Sequence, residues 1–221
     1  MKAKEIIARR AAQEFKDNMV VNLGFGIPVL AGNYIPEGIS VILQSENGIL
    51  SFGPNAREGE DDPFFCNAGG APVTALPGCC IMDLAESFGI IRGGHVDMTI
   101  LGALEVDQEG NIANWAMPVG EGKYSPGMGG AMDLLVGAKK VIVTITHNLK
   151  DGSPKILKKC TLPLSAANVV DLIVTEIAVL EVTDKGLVLK EVAPGITVDE
   201  VIERTDAELI IPDDVKEMKL S

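Results

Sequence analysis

The chain is short of aromatic residues, of positive charge, of histidine and of long apolar runs, and each shortage removes a class of protein. Phe, Tyr and Trp together make up 4% of the 221 residues. A core must therefore be assembled from Val, Ile, Leu, Ala and Met, a composition suited to parallel strands buried between helices rather than to an all-β sandwich. Lys and Arg number 19 against 31 Asp and Glu, a net charge of -12. Proteins that grip nucleic-acid backbones carry basic patches that release phosphate counterions, so nucleic acid is not an expected partner. A phosphate-bearing ligand would need a local site. No run approaches the roughly 20 apolar residues of a membrane span, and the opening Met1-Lys2-Ala3-Lys4-Glu5 is charged and amphipathic rather than a secretory leader. No membrane contact and a cytoplasmic location are expected. The four cysteines, Cys66, Cys79, Cys80 and Cys160, include no CxxC pair, and His95 and His147 have no second ligand at chelating spacing. The expectation is no metal, no bound cofactor, and reduced cysteines that are mostly buried.

Hydrophobic residues make up 47% of the chain, ample for a packed core. With no internal repeat and no flexible linker, residues 1–221 read as a single α/β domain, an open three-layer α/β/α arrangement around a mostly parallel mixed sheet. Ile6, Ile7, Ala11 and Phe15 share one face of a helix over 3–16. Met19 to Leu23 reads as a strand ending in the turn Gly24-Phe25-Gly26, followed by a helix from Pro28 to Tyr34. Ile39 to Leu43 is the next expected strand. Ser51 to Ala75 is rich in Gly, Pro and acidic residues and reads as a long surface loop. Met82 to Ile91 suggests a helix ended by Gly93-Gly94, Val96 to Leu101 a buried strand, Gly120 to Gly130 a second glycine-rich loop, and Ala131 the start of another helix. Strands are expected at 139–146, 172–175, 178–182 and 187–192, and Thr197 and Glu200 have the spacing of a capping box on a closing helix.

The segment with most chemistry in it is Gln44-Ser45-Glu46-Asn47-Gly48, because a carboxylate at the carboxyl end of a buried strand lies where open α/β sheets place ligands. Taken alone, Glu46 also fits a solvated turn. The surrounding pattern decides between these readings: Leu43-Gln44-Ser45-Glu46-Asn47-Gly48-Ile49-Leu50 resembles the Ser-Glu-Asn-Gly signature of family I CoA-transferases, in particular the β subunit of the 3-oxoacid type. The resemblance extends through Asn22 to Pro28, Ile91 to Asp97, Asn111 to Trp115, Gly127 to Leu134, Cys160 to Leu164 and Val174 to Glu176, covering nearly the whole chain. It implies the CoA-transferase (isomerase-like) fold.

It also implies a reaction. Glu46 would attack an acyl-CoA to form a mixed anhydride, the released CoA thiolate would convert this to a glutamyl-CoA thioester, and a second carboxylate would reverse the steps. CoA and acyl-CoA are thus substrates. A glutamate with a pKa of about 4.3 is ionised at neutral pH and attacks without a general base; thiolates and carboxylates leave without protonation, so no histidine triad is needed. Oxyanion donors carry over by resemblance to Asn22 and to the Gly130 amide. On the residues alone, Asn22 equally caps a turn and Gly130 equally permits helix–sheet packing. Gln44, Ser45, Asn47, Gly24, Phe25, Gly26, Met128 and Gly129 are the candidate substrate-binding residues, with Phe25, Ile27, Ile49 and Met128 as candidate dry wall around the intermediates. His95 reads as structural, and the CoA phosphate contacts are not assigned to any lysine.

Two departures from the family pattern stand out: Ser51, where Gly or Ala is usual, and the segment 116–126, longer than the common version and a candidate for reshaping the acyl pocket. The related α half is not present in these residues, so an α subunit partner is expected, as a heterodimer or an α2β2 assembly. An acyl-CoA hydrolase and a non-enzymatic metabolite sensor are alternatives on the same fold.

Overall fold

The structure, a computed structural model, describes residues 1–220. In chain order the elements are α1 (Ala3–Ala12), β1 (Val20–Leu23), α2 (Ile27–Leu30) running into a 3-10 turn (Ala31–Tyr34), β2 (Ile42–Ser45), β3 (Ile49–Asn55), β4 (Val73–Ile81), α3 (Leu84–Arg92) and β5 (Met98–Gly102). There follow β6 (Glu105–Asp107), β7 (Ile112–Ala113), β8 (Ala116–Gly120), β9 (Lys123–Pro126), α4 (Ala131–Gly137), β10 (Val141–Thr144) and β11 (Ile156–Leu157). The chain closes with β12 (Leu172–Val174), β13 (Ala178–Thr183), β14 (Gly186–Val192), α5 (Val198–Glu203), β15 (Leu209–Ile210) and β16 (Lys216–Glu217).

One 11-stranded sheet runs in the order β15-β14-β13-β12-β10-β5-β1-β2-β3-β4, with β16 also on β14. Its centre, from β12 to β2, is parallel, and antiparallel strands extend it on both sides. Alternation along the central strands explains the layers. Met98, Ile100, Ile142, Leu172 and Val174 point into one core with Ile7 and Ala11 of α1, whereas Leu101, Val143 and Ile173 point into the other with Ile91 of α3, Leu134 of α4 and Val201 of α5. Strands apolar on both faces need helices on both faces, and each fully buried Ile or Leu contributes about 1.5–3 kcal/mol. This is the three-layer arrangement expected. A buried ionic strap adds to it: Arg10 of α1 donates to Glu191 of β14 at 2.7 and 2.9 Å and to Glu14 at 2.8 Å, and Glu14 also accepts from Lys140.

Several expectations need correction. The segment Ser51 to Ala75 is not one loop, because its two ends pair as the antiparallel strands β3 and β4, leaving only 56–72 as the excursion. Pro77 and Gly78 sit on β4, an edge of the sheet, where a missing donor and a weak strand former are tolerated. The strand expected at 39–43 lies at Ile42–Ser45 because it takes its register from β1, with Asn22 opposite Gln44. The glycine-rich loop at 120–130 is partly the hairpin β8–β9. Helix α1 stops at Ala12, although Phe15 still packs in its core. The cysteines are free, but none is buried: Cys80 is exposed and the others are half-buried. His95 is exposed at the end of α3 rather than packed. The capping box on α5 forms as expected, with reciprocal bonds between Thr197 and Glu200.

At Ser51 the backbone is left-handed, with φ of 64°. The register between β3 and β4 shifts there, between Leu50 and Phe52. As a result Ile49 and Phe52, which strict alternation would place on opposite faces, share one cluster with Val73.

The other histidine, His147, follows β10 and is wholly buried. Its ring nitrogens lie 3.0 Å from the Thr175 hydroxyl and 2.8 Å from that of Thr205. Burial, reinforced by the nearby Arg204 charge, pushes its pKa down from 6.5 to about 3. The neutral ring therefore stabilises the fold fully above pH 6.5, and this contribution is lost as pH falls towards 3, where the unfolded chain alone gains the proton. Urea unfolding should show His147→Gln less stable by about 1–3 kcal/mol at pH 7.5, from the lost paired ring, with a gap to the parent that narrows steadily down to pH 4. A constant gap would contradict the buried neutral ring.

Candidate active site

The strand order makes the position of the site a matter of topology. The chain leaves β1 to form β2 on one side and returns to form β5 on the other, so a crevice opens beyond the carboxyl end of β1. A cleft of about 350 Å³ lies there, and among the described residues Glu46 is the one ionisable group on its wall. Glu46 occupies the tight turn between β2 and β3, whose ends pair as Ser45 with Ile49. Gly48 closes that turn with φ of 115°, and a Cβ there would overlap the Met82 carbonyl, so only glycine lets the turn dock against the end of β4. The Gly48 carbonyl in turn accepts from Met82 N–H at 2.9 Å.

Glu46 is half-buried, and its Oε1 accepts the Gly130 N–H at 3.3 Å. A Cβ at Gly130 would stand 2.9 Å from the carboxyl carbon, so the amide reaches the carboxylate only because this residue has no side chain. Gly129 is next to it, its Cβ position 3.8 Å from Oε1. Burial raises the Glu46 pKa above its ordinary value; the Gly130 N–H pulls it down, and the negative charge of Asp133 in α4 adds to the rise. Asp133 is itself bonded to Arg92 at 2.6 Å.

Behind Glu46 lies a buried amide chain. Asn22 donates through Nδ2 to Gln44 Oε1 at 2.7 Å and to the Gln44 carbonyl at 3.2 Å, and Gln44 Nε2 donates to the Ser87 hydroxyl at 3.0 Å. The Ser45 hydroxyl accepts the Ala68 N–H at 2.8 Å, and Asn47, exposed, donates to the Cys66 carbonyl at 2.8 Å. Asn22, Gln44, Ser45, Gly24 and Phe25 thus border the cleft with Glu46, while Asn47, Gly26 and Met128 do not. Of the four dry-wall candidates, Phe25 stands 84% exposed at the rim, whereas Ile49 belongs to one buried cluster and Ile27 packs against another. The hairpin β8–β9 does not line the cleft either; it leads into Gly127 to Gly130 from outside.

Other walls come from residues that sequence reasoning passed over: Phe52, Asn67, Ala68 and Leu76. Asn67 followed by Ala-Gly-Gly is an Asx-turn pattern that marks the loop in retrospect, since its Oδ1 accepts the Gly69 and Ala71 N–H groups. Ser87 gave no signal, being one small polar residue on an apolar helix face. Among the lysines weighed for phosphate, Lys139, Lys140 and Lys158 pair with Asp97, Glu14 and Glu208. Among the described residues no His, Cys, Asp and Glu cluster could hold a metal ion, and no helix is long and apolar enough to cross a membrane.

The site is thus a carboxylate at the switch point of an α/β sheet, met by a glycine amide from a distant segment. The model of the coenzyme A transferase family matches residues 4–204, and the chain belongs to that family. It is 51% identical to the beta subunit of the acetate CoA-transferase of Haemophilus influenzae, over 100% of this chain and 97% of that protein. It is 45% identical to a subunit of the probable succinyl-CoA:3-ketoacid coenzyme A transferase of Bacillus subtilis, over 96% of this chain and 97% of the relative. Among solved structures, the apoenzyme of the acyl-CoA transferase YdiF from Escherichia coli O157:H7 aligns with a TM-score of 0.78 and 26% identity, over 99% of this chain and 44% of that chain. The chain therefore spans under half the length of that enzyme.

If catalysis runs through an ionised Glu46, turnover falls as pH drops through its raised pKa. Replacing Asp133 by Asn removes one of the two causes of the rise and should move the acid limb of the kcat/KM profile to lower pH. A limb that stays in place or moves up would show that Asp133 does not act on Glu46.

Proposed function

We propose that this chain transfers coenzyme A between a short-chain 3-oxoacid and another small carboxylate, in two half-reactions through a glutamyl-CoA thioester on Glu46. The observation that carries this reading is the contact between Glu46 and the Gly130 amide. When the Glu46 carboxylate attacks an acyl-CoA carbonyl, the thiolate leaves and a mixed anhydride remains. The thiolate then attacks the glutamyl carbon, and Oε1, already facing the Gly130 N–H, becomes the oxyanion of that step. A donor so placed is worth roughly 3–4 kcal/mol in the transition state. The free acid departs, and an incoming carboxylate reverses the sequence.

The raised pKa of Glu46 fits the role, since a partly desolvated carboxylate is a stronger nucleophile. Asn22 is the second oxyanion donor in this reading. Its amide now bonds Gln44, so ligand binding must exchange that bond for one to the oxyanion. Coenzyme A enters as substrate, and the chemistry calls for no resident cofactor. The names of the Haemophilus and Bacillus relatives, acetate and succinyl-CoA:3-ketoacid transferases, support a small carboxylate and a 3-oxoacid as the exchanging acids.

Both relatives are named as single subunits of larger enzymes, the Haemophilus one as a beta chain, which supports assembly with an α chain as a heterodimer or α2β2. Exposed apolar side chains on the hairpin and cleft rim, among them Phe25, Val119 and Tyr124, suit a surface that another chain covers. The test uses the complex with its α chain: incubation with acyl-CoA, borohydride trapping and peptide mass spectrometry should place the reduced residue at Glu46. Glu46→Gln should abolish the adduct and lower transfer by at least about 10³-fold. An adduct elsewhere, or near-parental turnover by the variant, would overturn the assignment.

A further inference from the structure

Ser45 and Asn47 flank the nucleophile, and both direct their polar atoms at the same piece of chain. Ser45 is 4% exposed, and its hydroxyl oxygen accepts the Ala68 N–H. Asn47, on the other side of Glu46, donates to the Cys66 carbonyl. The loop they reach, 66–71, keeps its shape through its own bonds: Asn67 Oδ1 accepts from Gly69 and Ala71, the Gly70 N–H bonds the Asn67 carbonyl, and the Asn67 N–H bonds the Ala71 carbonyl. Its attachment to the sheet is another matter. Among the described residues, the hydrogen bonds that join 66–71 to the body of the protein are those of Ser45 and Asn47.

The loop is also a wall of the cleft, through Asn67, Ala68, Gly69 and Ala71, and the Phe25 ring rests on it, 3.2 Å from where a Gly69 Cβ would lie. A preformed loop, held at two points on either side of a reactive carboxylate and backed by an exposed aromatic ring, has the construction of a shield.

We infer that Ser45 and Asn47 are positioning residues that latch the 66–71 loop over the Glu46 cleft, and that the latch keeps water from the activated glutamyl group. The inference rests on the glutamyl-CoA reading above. The step prevented is defined: water adds to the glutamyl carbon, the C–S bond breaks, and the Glu46 carboxylate, the CoA thiol and one proton are released. A thioester survives to meet its acceptor acid only if that step is slower than exchange. Loosening the loop thus changes the fate of the intermediate more than its formation, which a substrate contact at Ser45 or Asn47 would not do.

The experiment uses the complex with its α chain, as parent, Ser45→Ala and Asn47→Ala. The thioester is formed with acyl-CoA and freed of excess substrate, and CoA release is followed with and without saturating acetate as acceptor acid. The ratio of hydrolysis to transfer should rise about three- to tenfold in each variant, the factor one lost hydrogen bond can supply. Asn47 is exposed, so its variant decides the matter if Ser45→Ala fails to fold. An unchanged ratio, whether kcat falls or KM for the acid rises, would overturn the inference while leaving the glutamyl mechanism standing. Failure of the parent to form any adduct on Glu46 would instead overturn that mechanism, and this inference with it.

Discussion

The approach of the Gly130 N–H to the Glu46 carboxylate is the contact around which the rest is arranged. It joins segments 84 positions apart, and both must be held by something rigid for a single 3.3 Å bond to persist. On one side the rigidity comes from the β2–β3 turn, keyed by Gly48 to the end of β4. On the other it comes from α4, whose Leu134 and Leu135 are sunk in the core beneath it. A side chain at 130 would hold the two apart by occupying the space of the carboxyl group itself. The two cores divided by the central strands therefore serve one purpose at the sheet edge: they fix two backbones close enough for an amide to address an acid.

Electrostatics around that acid are sparse. Among the described residues Glu46 has no basic partner on the cleft wall, and Asp133 stands close enough to oppose its ionisation. A guanidinium in bidentate contact would have lowered its pKa and stabilised the carboxylate ground state, at the expense of nucleophilicity. A single neutral donor avoids this. The acidic character of the surface and the neutrality of the cleft are separate matters, the first concerning solubility and the second reactivity.

Much of the central architecture was legible from residue order. The strands at β1, β5, β10 and β12 to β14 are runs of Val, Ile and Leu with few competing readings, and the capping box at Thr197 announces α5. The carboxylate at a strand end marked a candidate site, and the structure places it on the wall of the cleft. The β3–β4 pair was not legible, because Pro54, Pro77 and Gly78 are local loop signals that long-range pairing overrides at a sheet edge. Ser45 and Asn47 could be named but not understood. Their residue types fit contact with a ligand as well as contact with Ala68 and Cys66, and the second kind of contact is visible only in the folded loop. Ser87 illustrates a deeper limit, since a lone hydroxyl on an apolar helix face acquires meaning only when Gln44 arrives from a different strand.

The left-handed backbone at Ser51 carries an implication for how the cleft can vary. Glycine adopts this conformation without steric cost, while a serine holds it under tension of about 1 kcal/mol. The distortion sets the phase of Phe52 on the cleft wall, ahead of a second register shift between Phe52 and Asn55. Loss of one residue at this point would leave composition and hydropathy almost untouched, yet turn the Phe52 side chain to the other face of the sheet, away from Ile49 and Val73. The dimensions of the chamber are thus governed less by which side chains are chosen than by where the strand is allowed to miss a beat.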